Sequence, residues 1–248
     1  MDKESLEQAR ELVENANNIV ILTGAGISAE SGIPIFRGDQ GLWKDIRPED
    51  IATPEAFAKD PKFVWEWYDL RRQTIIEAEP NPGHYALVEL ENKKEGFTLI
   101  TQNIDGLHKR SGNKNIIEMH GNIWQMRCTK CGHIYFDYEV PLKQLPPSCK
   151  KCGEMTRPNV VWFGEMIEMS LIDKVLKAIE ECHVMLIVGT SGVGGPAASM
   201  GLVAKQTDKT VIEINPEETP SSGLYDIVIR EKSGGILPLL FTSNRTLS

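Results

Sequence analysis

No apolar run in this sequence comes near the ~20 residues that a membrane-spanning helix needs. The longest, such as Val184 to Val188, are of strand length. The opening stretch MDKESLEQARELVENANN has no apolar segment of the secretory-signal type. Basic charge is short as well: 27 Lys and Arg face 35 Asp and Glu in 248 residues, a formal charge of −8. A general nucleic-acid binder wants a basic face for phosphates, so no direct nucleic-acid partner is expected. A local basic pocket remains compatible with that balance. Cysteine is too scarce for a disulfide scaffold, and its count of five is odd, which favours metal ligation or free thiols. Internal repeats and low-complexity tracts are absent. The expectation is a soluble protein of a reducing compartment with no membrane association, cytoplasmic if the cell is prokaryotic. The length suits one large domain carrying a small module.

Hydrophobic periodicity orders what is present. Leu6, Ala9, Val13 and Ala16 recur at helical spacing and predict a first helix ending near Asn17 and Asn18. Ile19 to Thr23 is a short continuous apolar run, as buried parallel strands are. Phe97 to Thr101, Val184 to Val188 and Val211 to Ile214 read alike, and Asp226 to Ile229 reads as an edge strand. Helical stretches separate them at about Lys62–Ala78, His84–Lys94, Leu171–Glu181 and Ala197–Gln206. Such alternation predicts an α/β fold, a Rossmann-like doubly wound parallel sheet. Between Cys128 and Cys152 the texture changes to short β-like pieces (His133–Tyr138) and a Pro-rich loop (Leu145 to Pro147). This reads as a small inserted zinc-binding domain.

Three constellations carry chemistry. Gly24-Ala25-Gly26-Ile27-Ser28-Ala29 follows the first strand in a Gly-x-Gly-x-x-Ala pattern. The first glycine permits a tight turn, the second admits a pyrophosphate, and the small third residue lets helix and strand pack closely. Alone, the pattern marks either a dinucleotide site or a structural turn. The loop after it, Ser31 to Gly38, suits a cover over a ligand, with Phe36 as lid and Arg37 on a phosphate. The acidic ribose ligand expected ~20 residues on is missing, so Val211–Ile214 running into Asn215 is the better adenosine side. Cys128-x-x-Cys131 and Cys149-x-x-Cys152, 17 residues apart, are two knuckles able to complete a closed, structural tetrahedral zinc site. Redox pairs and a competing His133 are the alternatives, and Cys182 reads as a small buried residue. Finally, Phe97–Thr101 runs into Gln102-Asn103-Ile104-Asp105, with His120-Gly121 shortly after. Asn103 and Asp105 are placed to meet a nicotinamide amide and ribose, and His120 to act as a general base. Each also has a plain reading as a turn cap or a satisfied polar group, the reading given to His84 and His108.

Together these segments, with Val161-Trp162-Phe163-Gly164-Glu165, Gly189-Thr190-Ser191 and Ile214-Asn215, resemble the sirtuin family of NAD-dependent protein lysine deacylases. The resemblance implies NAD and an acyl-lysine protein or peptide meeting in a cleft between a large and a small domain. It implies a large domain at approximately 1-36, 84-124 and 157-248, and a small one at 125-156 plus a helical segment 37-83. NAD is expected on Gly24, Ala25, Gly26, Ser28, Phe36, Arg37, Trp43, Gln102, Asn103, Ile104, Asp105, Gly189, Thr190, Ser191, Asn215 and Ser233. The acyl-lysine segment is expected on Val161, Phe163, Gly164 and Val193. The implied reaction has the acyl oxygen expel nicotinamide. His120 then activates a ribose hydroxyl, with Asn103 and Asp105 positioning the reactants, and an O-acyl-ADP-ribose is released. The chain departs from the family where Asp is usual and Ile35 stands, and in the small-residue run Gly192 to Pro196.

The stretch 62–78 bears on the acyl group. On a helical wheel Glu66, Asp69, Gln73 and Glu77 share a polar face, while Arg71 falls among Val64, Tyr68 and Ile75. A guanidinium there snorkels, pairs with a distant carboxylate or meets an anionic ligand. Tyr68-x-x-Arg71 and the small Ala52 are similar to features of the class III branch, which implies succinyl- or malonyl-lysine as substrate and weaker deacetylation. A mono-ADP-ribosyltransferase and a zinc-ribbon nucleic-acid module are the alternatives.

Overall fold

A strand flanked by parallel neighbours must be apolar on both faces, and Asn18–Thr23 meets that demand at the centre of a six-stranded sheet in the computed structural model. The structure describes residues 3–35, 50–193 and 195–241. In chain order the strands are β1 (Asn18–Thr23), β2 (Gly96–Thr101), β3 (Ile116–Glu118), β4 (Gly121–Cys128), β5 (Ile134–Phe136), β6 (Thr156–Val160), β7 (Val184–Val188), β8 (Thr210–Ile214) and β9 (Ile227–Ile229). The helices are α1 (Lys3–Asn15), α2 (Ala25–Ala29), α3 (Pro54–Lys59), α4 (Pro61–Glu77), α5 (Pro82–Lys93), α6 (Leu107–Ser111), α7 (Met169–Glu181), α8 (Gly195–Gln206) and α9 (Ser233–Phe241).

The main sheet runs β3-β2-β1-β7-β8-β9, every pair parallel. Alternation along β1 divides the core. Ile19 and Ile21 pack with Leu6, Leu87, Leu90 and Leu237 from α1, α5 and α9. Val20 and Leu22 pack with Val175, Ile179, Met200 and Ala204 from α7 and α8. Helices therefore cover both faces, the doubly wound arrangement that the alternating pattern predicts. The register pairs Thr23 with Thr101 and Val188, Thr101 with Glu118, Val188 with Ile214, and Ile214 with Ile229. All six strands thus end at one level, and the chain order reverses between β1 and β7, where such sheets bind ligands.

A second, antiparallel sheet, β5-β4-β6, spans Gly121 to Val160 and carries the cysteine knuckles. Val64, Trp65 and Tyr68 of α4 share a core with Ile123, Trp124, Met126 and Trp162, so α4 rides on this sheet. Trp65 Nε1 donates to Thr156 O at 2.7 Å, and Leu142 N donates to the buried Asp69 at 2.9 Å. Asp69 belongs to the polar face of the helical wheel, and its role as acceptor for the small-sheet loop draws it inward. α1 ends at Asn15, before Asn17 and Asn18, because the chain must extend to enter β1. Periodicity did not reveal α3, α6, α9, β4 or β6. Gly-Gly and Pro238 disguise α9, whose Leu237 and Leu240 are fully buried, and tertiary burial holds it helical. No helix among the described residues is long and apolar enough to cross a membrane.

Candidate active site

Where β1 and β7 end, two loops meet with no room for side chains. Gly26 N donates to Gly189 O at 2.9 Å, and a Cβ on Gly26 would stand 2.6 Å from Gly189 Cα. Gly24 is equally constrained, a Cβ there lying 2.8 Å from Gly189 O, and Gly189 itself adopts φ +61°. The second glycine therefore admits the Gly189 backbone. Ala29, expected to let helix and strand pack closely, is instead exposed at the end of α2. That helix is too short to lay it on the sheet, and the two glycine loops make the close contact.

Below this crossing the polar residues converge. Ser28 Oγ donates to Asp105 Oδ2 at 2.8 Å, and Asn103 Nδ2 donates to Gly24 O at 3.0 Å and to Ser28 Oγ at 3.2 Å. Asp105 is buried and caps Leu107 N at 2.8 Å. Burial pushes its carboxyl above the ordinary value, against the opposing pull of that N–H, Ser28 and the Arg71 charge. His120 Nδ1 stands 3.0 Å from Gln102 O. A carbonyl can only accept, so Nδ1 carries the proton and Nε2 keeps its lone pair. Burial lowers the His120 pKa, which holds the ring neutral. Val161 N donates to His120 O at 2.9 Å, tying the histidine to the segment after β6.

On the far side, Asn215 Nδ2 donates to Thr190 O at 2.5 Å, joining the loops after β7 and β8, while Ser191 is exposed. Glu213 is buried and fully engaged by Thr219, Ser222 and Arg230. Ser233 lies apart from these groups: it is buried, and its hydroxyl donates to Glu30 at 3.2 Å. Ile104 is half-buried, and its carbonyl accepts from Ile123 N at 2.9 Å. Phe36, Arg37 and Trp43 lie outside the described residues. Ile35 is exposed.

The four cysteine sulfurs lie within 4.8 Å of one another, with Cys128–Cys152 at 3.4 Å, Cys131–Cys152 at 3.5 Å and Cys131–Cys149 at 3.9 Å. Four thiolates at about 2.3 Å from one ion in a tetrahedron stand about 3.8 Å apart. The set fits zinc and leaves no position for a reacting water. Cys131 N and Lys130 N donate to Cys128 Sγ, both at 3.4 Å, and these N–H groups hold its thiol at about 6. His133 is not in the cluster. Cys182 is buried elsewhere, its thiol pushed up to about 11 by burial.

The third group lies on α4, near enough to the first that the Asp105 and Arg71 charges act on each other. Tyr68 is buried and accepts from Trp162 Nε1 at 2.9 Å. Arg71, one turn on, is half-buried with its guanidinium 5.1 Å from the Trp67 ring centroid. Burial lowers the pKa of its guanidinium, and the Asp105 charge opposes that shift. Among the described residues no carboxylate forms an ion pair with Arg71. Ala52 is buried, and its carbonyl accepts from Phe163 N at 2.9 Å. Phe163, Gly164 and Val193 are exposed. Trp162 N donates to Glu165 at 2.9 Å, so the N–H groups of Val161, Trp162 and Phe163 are all engaged within the chain.

Sequence reasoning missed Arg72, the fully buried neighbour of Arg71. Its guanidinium donates to Asp137 O at 2.5 Å and lies over Trp124 at 5.2 Å, bolting α4 to the small sheet. Trp162 stands in the motif 161–165 without a role of its own from sequence; the structure buries its indole against Tyr68. His84 and His108 are buried with ring centroids 4.9 Å apart. His84 completes a capping box with Asn81, and His108 Nε2 meets Thr23 Oγ1 at 2.9 Å. Burial lowers the pKa of both, His84 to about 4.

Comparison with known proteins agrees with this geometry. Residues 24–196 match the Sir2 family. An NAD-dependent protein deacylase of Aquifex aeolicus is 54% identical over 216 residues, covering 87% of this chain and 90% of that protein. A solved Sir2 homologue–NAD complex superposes with a TM-score of 0.88 at 44% identity, covering 97% of this chain and 93% of that one. A complex of Sir2 with a p53 peptide and NAD+ does so with a TM-score of 0.85 at 28% identity, over 95% and 96% of the two chains.

Proposed function

Since the chain belongs to the Sir2 family and is an NAD-dependent protein deacylase, we propose that it acts on acyl-lysine side chains of proteins and prefers acyl groups ending in a carboxylate, succinyl and malonyl, over acetyl. The observation that carries this preference is Arg71: a half-buried cation beside Tyr68 and Asp105, with no carboxylate partner among the described residues. A guanidinium removed from water calls for an anion, and its planar fork matches a carboxylate. Ala52, in the same apolar cluster as Tyr68, keeps the side chain small there. The family membership weighs against the ADP-ribosyltransferase and zinc-ribbon alternatives.

NAD, when bound, supplies an electrophilic ribose carbon and a nicotinamide leaving group. The chain's part is to place and deprotonate. Gly24, Ala25, Gly26, Gly189, Thr190, Ser191 and Asn215 form the rim for the dinucleotide at the strand reversal. Asn103, Asp105 and Ser28 form one hydrogen-bonded unit that orients the reacting ribose and the acyl amide. His120, fixed by Gln102 O with a free Nε2, takes the proton from a ribose hydroxyl. The substrate backbone lies along Val161–Gly164 opposite Val193. With the N–H groups of Val161, Trp162 and Phe163 engaged internally, those three residues can pair only through carbonyl oxygens, and there the peptide supplies the donors. The zinc site ties together the turns at the ends of β4 and β6, and so the small sheet on which α4 rides; the product is an O-acyl-ADP-ribose.

The test compares kcat/KM on succinyl- and acetyl-lysine versions of one peptide for wild type and Arg71→Met. Losing a charged hydrogen bond of about 1.5–3 kcal/mol lowers the succinyl value roughly 10- to 100-fold and leaves acetyl far less affected. An unchanged ratio sinks the proposed preference.

A further inference from the structure

The Tyr68 hydroxyl has an unmet valence. A phenol oxygen accepts through its lone pairs and donates one proton, which lies near the ring plane in one of two directions. The indole N–H of Trp162 can only donate, so at 2.9 Å it claims one of those directions. Tyr68 is 3% exposed and makes no other hydrogen bond among the described residues. A buried donor without an acceptor is costly, and a ligand atom beside Arg71 can supply the missing acceptor.

Trp162 is itself clamped. The Arg157 guanidinium stacks 3.5 Å from its ring centroid, and Phe57 packs against it at 5.2 Å. Arg157 grips Glu165 through two hydrogen bonds of 2.6 and 2.8 Å, and Glu165 in turn accepts from Trp162 N. The next residue, Phe163, is tied to Ala52 O. The indole therefore has little freedom to swing away from Tyr68.

We propose that Trp162 is a specificity-positioning residue: its indole N–H turns the Tyr68 hydroxyl so that the phenolic proton points at the acyl-chain carboxylate held by Arg71. This rests on the preference for carboxylate-tipped acyl groups given above. Trp162 touches no reacting atom; it acts through Tyr68. The same segment proposed to pair with the substrate backbone thereby sets the polarity of the acyl pocket.

The test uses the zinc-loaded full chain and succinyl- and acetyl-lysine forms of one peptide. Trp162→Phe keeps the ring and loses the N–H. It is expected to lower the succinyl-to-acetyl ratio of kcat/KM about 5- to 10-fold, chiefly through the succinyl KM. In a Tyr68→Phe background the same substitution is expected to move the ratio no further. An additive double variant, or an equal loss on both peptides, overturns the inference. Arg71→Met separates the two levels of the argument. If it collapses the ratio while Trp162→Phe leaves it intact, only the role of Trp162 fails. If it leaves the ratio intact, the acyl preference fails and this inference with it. Should Trp162→Phe not fold, Glu165→Gln loosens the clamp with the indole in place. A smaller fall in the same ratio supports the proposal, and an unchanged ratio overturns it.

Discussion

His120 illustrates how a single tautomer decides chemistry. Its Nδ1–H is committed to Gln102 O, so only Nε2 can accept a proton. General-base catalysis contributes typically 10²–10⁴-fold, and His120→Ala is expected to lower deacylation by about that much while the melting temperature stays near wild type. Near-full turnover in a peptide assay followed by mass spectrometry overturns the assignment. The sign of the pH effect follows from burial. Because the neutral ring is the base and its pKa is lowered, the acid limb of kcat/KM is expected below the ordinary histidine value of about 6.5. A limb above that value excludes His120 as its source. Gly26 supplies a test of packing. A Cβ there meets Gly189 Cα at 2.6 Å, backbone against backbone, so Gly26→Ala is expected to destabilise by about 1–3 kcal/mol. Denaturant unfolding measures it, and NAD affinity is expected to fall with it.

Among the elements, α4 joins the two halves of the site. It carries Tyr68 and Arg71, proposed above to meet the acyl group, while Trp65, Asp69 and Arg72 grip the small sheet. Zinc at the knuckles is therefore coupled through α4 to the acyl site proposed above. Replacing Cys131 by Ser is expected to cost bound zinc and melting temperature together, and to erode the succinyl-to-acetyl ratio in whatever enzyme stays folded. Metal analysis beside calorimetry checks it; an unshifted melt with zinc lost refutes the structural role. The sequence disclosed Tyr68 and Arg71 because helical spacing exposes a charge on an apolar stripe. It concealed Asp69 and Arg72, whose burial depends on partners some 65 to 73 residues away, Asp137 and Leu142. The strands around the knuckles were hidden for a related reason: β4 and β6 are braced by metal-bearing turns and α4 more than by their own alternation.

For the whole molecule, the parallel sheet was legible because each buried strand must be apolar throughout, which no helix surface imitates at that length. The glycine turn was legible as a turn, yet its partner was not: only the fold brings Gly189 against Gly26. The buried pair His84 and His108 gives the fold an acid sensitivity. Both are neutral when folded, with pKa values below the unfolded value, so the unfolded chain binds more protons as pH falls. Stability is expected to be full above about pH 6.5 and to decline from there down through about 4, the value His84 takes in the folded chain. A melting temperature that holds constant across that window contradicts it, and His84→Gln is expected to flatten the slope.

The level ending of the six strands has a consequence for how such a chain can diverge or be re-engineered. Gln102, Gly24, Gly189 and Asn215 each follow a strand whose last residue sits on the shared level. A one-residue deletion inside β2 would draw its loop down by about 3.3 Å and turn its side chains to the opposite face. Loops beyond the rim can change length without moving their neighbours, whereas strand lengths can change only in concert. Insertions and deletions are therefore expected to be tolerated at the far, amino-terminal ends of these strands and excluded from their interiors. A deletion scan across β1 and β2, read by soluble yield and NAD-dependent turnover, would map that boundary.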